Sequence, residues 1–248
     1  MVDFLQNNDR LCSKGSPSVS VSSLTINLFG GVSMLRVALP NGTMEEPTVK
    51  FFNNAGITFE KIPRQYRARV RDPKHRASEA VFMRPHIIPY LVAKNHYDLG
   101  FTGSDQVMES DGGSVATLTK FNCFNKHEER TWKVVLLGRK EDPAQSIKDI
   151  QDGVVILSEY PNITQAALDW NGKKAEVLFS HGATEAHIPH DFPYGVCLAQ
   201  SHATLEANNL KIIQVISVEM GVIIGSPKRT ESREKEMACI SLLDDLLR

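Results

Sequence analysis

The chain has 248 residues, with 28 Lys and Arg against 29 Asp and Glu and a formal net charge of −1. That length allows one large domain or two lobes with ample core, and the even charge gives no support to nucleic-acid or polyanion binding as the main task. Cys12, Cys123, Cys197 and Cys239 stand far apart without a C-x-x-C pair, no apolar run reaches bilayer length, and no basic segment leads into an apolar one at the start; the expectation is a cytoplasmic protein without disulfides, membrane span or signal peptide.

Residues 1–33 are Ser-rich and read as an N-terminal extension, either an edge strand or a tail. The apolar run 35–39 reads as a first buried strand, 40–43 as a turn and 44–54 as a helix. Glu45, Glu46 and Pro47 suit a first helical turn, and Gly56 suits a stop. A strand, a glycine turn and a helix start make either an anion site or an ordinary βα connection.

Lys61, Arg64, Arg67, Arg69, Arg71, Lys74 and Arg76 crowd the next stretch. They read as a solvated loop or as a local positive field. A strand at 80–83, a helix around 89–95 and a strand at 98–102 follow. Gly103-Ser104-Asp105 then repeats the glycine turn before a helix, and Gly112-Gly113 marks a crossover to a second lobe.

Beyond it the spacing predicts strands at 132–137 and 154–158, a short helix at 146–150, and a helix at 163–170 stopped by Asn171-Gly172. A strand at 175–179 enters the stretch HGATEAHIPHDFPYGVCLAQSHATLEANNL, residues 181–210. That stretch reads as a tight loop, a short helix at 183–188 ended by Pro189, a buried strand at 194–200, and a turn at 201–204 before another helix. Strands at 211–218 and 220–225 precede a last helix at 228–247, in which Met237, Ile240, Leu243 and Leu247 share a face and read as core. Strands alternating with helices argue for α/β layers.

Several of these segments resemble the ATP phosphoribosyltransferase family. They are LRVALPNGTMEEPTVKFFNNAGI (35–57), FMRPHIIPYLVAKNHYDLGFTGSDQVMES (82–110), SEYPNITQAAL (158–168), GATEA (182–186) and ATLEANNL (203–210). The resemblance covers about residues 34–247. It implies a two-lobe α/β fold of the type II periplasmic-binding-protein kind, with the ligand cleft between the lobes. Lobe I would hold 34–115 plus 218–248, and lobe II 116–217.

It also implies transfer of phosphoribosyl from phosphoribosyl pyrophosphate to ATP, the first step of histidine biosynthesis, with Mg2+ carried by the substrate. The absence of a C-terminal regulatory segment resembles the short form, which implies a separate regulatory subunit and a homodimer. Carried over by position, the substrate-binding candidates are Asn41 and Gly42, one of Arg64 or Arg67, Arg84, Asp98, Thr102 and Gly103, then Tyr160 and Asn162, with Ser201, Ala203 and Thr204 as the phosphate loop. Three departures stand out. Asn41-Gly42-Thr43 replaces the family's Lys-Gly-Arg, Ile87 replaces an acid, and the run 194–198 lacks the family's two aspartates, while the loop after it lacks the glycine.

His181, His187, His190 and His202 fall in that departing region with Glu185, Asp191 and Cys197. The histidines read as surface residues, as general acid/base groups with Glu185, His187 and His202 as catalytic candidates, or as a metal site through the spacing His187-x-x-His190. No metal site is assigned, because Pro189 breaks the helix that the spacing would need. Two other functions stay open: a diverged homologue running lyase, isomerase or hydrolase chemistry on another small anionic metabolite, and a non-catalytic binding or regulatory subunit.

Overall fold

The computed structural model describes residues 34–110, 115–122, 131–188, 190–199 and 201–248. The extension 1–33 and the Gly112-Gly113 crossover lie outside the described residues. The chain opens with β1 (Leu35–Pro40), α1 (Glu45–Asn54), β2 (Thr58–Lys61), β3 (Arg67–Arg71), β4 (Ala77–Met83), α2 (Ile88–Ala93), β5 (Leu99–Gly103), α3 (Ser104–Glu109) and β6 (Ala116–Phe121). It continues through β7 (Trp132–Arg139), β8 (Val155–Ser158), α4 (Pro161–Trp170), β9 (Glu176–Phe179), β10 (Tyr194–Leu198), α5 (His202–Ala207) and β11 (Leu210–Glu219), and ends with β12 (Gly221–Gly225) and α6 (Arg233–Leu246).

Two sheets result, in the orders β2-β3-β4-β1-β5-β12-β6 and β11-β7-β10-β8-β9. This is the two-lobe α/β architecture that the resemblance implies. The central strands of the first sheet, β4, β1 and β5, run parallel, as do β10, β8 and β9 in the second. Parallel strands need both faces covered. In lobe I, Leu35, Val37, Leu39, Phe82 and Phe101 pack on Phe52 of α1 and Leu242 of α6. Each fully buried phenylalanine contributes roughly 1.5–3 kcal/mol. Ile88 and Val92 of α2 cover the opposite face with Ala38, Val222 and Ile224. Gly100 lets α2 come that close, because a Cβ there would lie 2.6 Å from Ile88 Cγ2. Lobe II has its own core around Leu136, Ile156, Ile163, Leu168 and Val196.

Three expectations change. β6 pairs with β12 inside the first sheet, so lobe I extends through Phe121 rather than ending at 115. The basic stretch is no loop: β2 and β3 form an antiparallel pair in which Ala68 and Val70 face the core while Arg67, Arg69 and Arg71 stay exposed. The last helix buries Ala238, Cys239, Leu242 and Leu246, and leaves Met237, Ile240 and Leu247 about half exposed. Leu243 of the expected face still packs on the core, but the buried stripe is centred on Ala238, Cys239, Leu242 and Leu246.

Candidate functional site

The parallel strands of each lobe bring three loops to one edge, and the carboxyl ends of such strands are where α/β proteins place ligands. In lobe I, β1 leads to Asn41, β4 to Arg84 and β5 to Ser104. The Asn41 N–H donates to the Met83 carbonyl at 2.8 Å, which ties the first two loops together. In lobe II, β8 leads to Glu159 and Tyr160, β9 to Ser180–Gly182, and β10 to Ser201. Thr184 Oγ1 donates to Glu159 Oε1 at 2.9 Å and contacts Ser180 Oγ at 2.9 Å, joining two of these loops. Gly195 makes room for this arrangement, since a Cβ there would meet Ile188 Cδ1 at 2.1 Å and Thr184 Cγ2 at 2.7 Å.

The lobes meet through α3 and α4. The Tyr160 hydroxyl donates to Asp105 Oδ2 at 3.0 Å across the junction. Gln106 Nε2 donates to the same oxygen at 2.5 Å. Asp105 is 2% exposed, and its Oδ1 has no hydrogen-bond partner. Burial pushes its carboxyl above the usual carboxylate range, and the neighbouring Glu219 adds to the rise. Burial, followed by the Asp105 charge, also raises the Tyr160 hydroxyl far above an ordinary phenol, so it stays a donor. Glu219 is itself buried and accepts from Ser104 Oγ. Ser104 also holds Met220 between β11 and β12: its N–H donates to the Met220 carbonyl at 2.8 Å and its Oγ accepts the Met220 N–H at 3.0 Å.

The sequence candidates divide by place. Asn41, Gly42, Arg84 and Gly103 lie on the lobe I loops at the carboxyl edge. Arg64 joins them, on an exposed turn with φ +67° whose neighbour Tyr66 accepts from the Phe82 N–H. Arg67 does not join them. It points from the outer face of β3 and pairs with Glu79 at 2.5 Å, which leaves Arg64 as the candidate of the two. Asp98 is corrected as well. It precedes β5, at the opposite end of that strand from Gly103, where its carboxylate accepts from Lys235 Nζ at 2.6 Å and from the Arg36 N–H at 2.8 Å. Thr102 is fully buried and donates to the Pro85 carbonyl at 3.0 Å, so it braces the 84–87 loop from beneath.

In lobe II, Tyr160 reaches Asp105 as described. The Asn162 N–H is already taken by Glu109, so the start of α4 is not an open anion site. Ser201 caps α5 by accepting the Thr204 N–H at 3.2 Å, and the two hydroxyls meet at 2.9 Å, with Ala203 exposed between them. Glu185 lies in the one-turn helix Thr184–His187, with Oε2 buried and unpartnered.

The histidines do not converge. His187 packs at the amino end of β10, where its carbonyl accepts the N–H groups of Asp191 and Phe192, and its ring meets Asp191 at 3.0 Å. His202 follows the carboxyl end of β10 and faces Glu206 at 3.6 Å, 84% exposed. At about 3.3 Å per residue the length of the strand separates them. His190 and Asp191 instead line a separate pocket of about 520 Å³ with Arg139, Glu141 and Asp142. Among the described residues, no group of three His, Cys, Asp or Glu side chains is placed to hold a metal ion. Glu159, Asp105, Glu109 and Glu219 went unnoticed in the sequence as site residues. Glu159 had one signal, its place beside Tyr160 at the end of a predicted strand.

A model of the ATP phosphoribosyltransferase family matches residues 84–246. The ATP phosphoribosyltransferase of Desulforudis audaxviator is 32% identical over 182 residues, which is 73% of this chain and 61% of that protein. That of Chlorobaculum parvum is 32% identical over 184 residues, 74% of this chain and 60% of its own length. The matched region thus spans about three fifths of these relatives. Among solved structures, the ATP phosphoribosyl transferase (HisG:HisZ) complex from Thermotoga maritima superposes with a TM-score of 0.70 at 22% identity, covering 86% of this chain and 97% of that one. XAC2383 from Xanthomonas citri bound to ATP gives a TM-score of 0.54 at 10% identity, over 85% and 82%. These two likenesses speak for the fold.

Proposed function

Because this chain belongs to the ATP phosphoribosyltransferase family, we propose that it transfers the phosphoribosyl group of phosphoribosyl pyrophosphate to ATP, the first step of histidine biosynthesis. The observation that carries this reading is the family match itself, which runs from the Arg84 loop of lobe I through all three carboxyl-edge loops of lobe II. The transfer breaks the bond from the ribose anomeric carbon to pyrophosphate and forms one to an adenine nitrogen, through an oxocarbenium-like state. Two anionic substrates must be held in line, with water excluded.

In this reading Arg64 and Arg84, on loops at the same edge, meet phosphate oxygens. Asn41 and Gly42 stand where the pyrophosphate leaves. The loop with Ser201, Ala203 and Thr204 takes the phosphate of the ribose, and the Ser201 and Thr204 hydroxyls turn from each other to the ligand. Glu159 and Glu185 are the carboxylates of lobe II nearest the ribose hydroxyls. Mg2+ enters in this reading as part of the chelated pyrophosphate, as the family resemblance implies. A cytosolic setting suits the buried side chains of Cys197 and Cys239. We also propose, as the family resemblance implies, a homodimer working with a separate regulatory subunit; the Thermotoga maritima structure is itself a HisG:HisZ complex.

Isothermal titration with phosphoribosyl pyrophosphate and magnesium tests the reading, followed by an assay for phosphoribosyl-ATP. Saturable heat is expected, weakened at least tenfold by Arg84→Ala, the loss of one charge-assisted contact. Absence of heat at millimolar ligand overturns it.

A further inference from the structure

The start of α4 has an unusual cap. Its N-cap position holds Tyr160, whose side chain makes no capping hydrogen bond. Pro161 in the first turn has no N–H to satisfy, which leaves the N–H groups of Asn162 and Ile163 as the orphans of that turn. Both are satisfied from the other lobe. Glu109, the last residue of α3, accepts the Asn162 N–H on Oε1 at 2.9 Å and the Ile163 N–H on Oε2 at 3.0 Å. The Asn162 side-chain amide returns to the Glu109 carbonyl at 2.7 Å. A carboxylate at a helix N-terminus also meets the positive end of the helix dipole. One helical turn earlier on the same face of α3, Asp105 accepts the Tyr160 hydroxyl at 3.0 Å.

We propose that α3 is an inter-lobe clamp, in which Glu109 is the positioning residue that closes lobe II onto lobe I by capping α4, with Asp105 gripping Tyr160 as the second jaw. Through α4 the clamp fixes the loop carrying Glu159 and Tyr160 relative to the Arg84 and Gly103 loops. It follows that the start of α4 is filled by the protein itself. The clamp stands on the fold alone and does not depend on the reaction assigned above.

The test uses the full chain carrying Trp170→Phe, which removes the tryptophan that is 90% exposed and leaves Trp132 as reporter. Trp132 lies against the same junction, within 2.6 Å of where a Gly103 Cβ would sit. In Glu109→Ala, amide exchange at Asn162 and Ile163 should rise about tenfold, the equivalent of one hydrogen bond to a charged group. The radius of gyration from solution scattering should increase, and Trp132 emission should shift to the red. Tyr160→Phe, which keeps the buried ring and removes only the hydroxyl, should move scattering and emission in the same direction by less, and it serves alone if Glu109→Ala does not fold. Faster exchange with unchanged scattering and emission reduces Glu109 to a local cap and overturns the proposal, as does unchanged exchange.

Discussion

Gly103 sits where β5 turns into α3, and a Cβ there would lie 2.0 Å from Asp105 Oδ1 and 2.6 Å from Trp132 Cζ2. Asp105 is held in place by Tyr160 and Gln106. Gly103→Ala is therefore expected to destabilise by about 1–3 kcal/mol, the usual penalty of overpacking, read as a lower urea midpoint. Asp105 yields a second expectation, with a sign. Its carboxyl titrates above the unfolded value of about 3.9, raised first by burial and then by Glu219. A raised acid contributes stability below the unfolded value and loses it as pH climbs through the folded one. Asp105→Asn does not titrate, so its urea midpoint should gain on that of the natural protein between pH 4 and pH 8. A difference constant over that span would place the ionisation cost elsewhere.

Among the elements, the turn between β3 and β4 is fastened to α6 by charge. Arg76 grips Asp72 through Nη2 at 2.7 Å and Nε at 2.9 Å, and reaches Asp245 of α6 at 2.6 Å. Burial pushes Asp72 upward, but the Arg76 guanidinium and the Lys74 and Arg76 N–H groups outweigh it and hold its carboxyl below the usual range. That stability is present above the unfolded value and disappears as pH falls through the folded one. Asp72→Asn leaves the buried Arg76 with Asp245 as its remaining carboxylate and should destabilise by about 3 kcal/mol, with a shallower loss of stability in acid titrations followed by circular dichroism. The same elements show what sequence conveys. The buried strands were legible because runs such as LRVAL and DLGFT have few other homes in an α/β layer. The β2–β3 pair was not, because Ala68 is a weak apolar signal and the arginines around it dominate the composition. On α6 the burial of Ala238 and Cys239 was illegible for the same reason: small side chains carry little hydrophobic weight, yet here they pack into the core beside Leu242 and Leu246.

For the molecule as a whole, the lobe architecture and the carboxyl-edge loops were legible through the family motifs, whereas the junction between lobes was not. Glu109 and Asn162 meet across 53 positions, and no local pattern marks one acid among 29 as a cap for a distant helix. The junction also has a soft point that can be tested. Ser104→Ala removes the donor to buried Glu219 and the acceptor of the Met220 N–H, and leaving a buried carboxylate short of a donor costs about 1–3 kcal/mol. Faster amide exchange at Met220 is expected, while exchange within the β1 and β5 cores stays slow. Met220 is the single residue between β11, which ends at Glu219, and β12, which begins at Gly221. A strand that changes sheets with one residue of slack tolerates no change in length. One inserted or deleted residue there would invert the alternation of β12 and send Val222 and Ile224 toward the side of the sheet that Ile223 now fills. Sequences sharing this architecture are thus expected to vary in length at their outer loops and to keep this passage at a constant count.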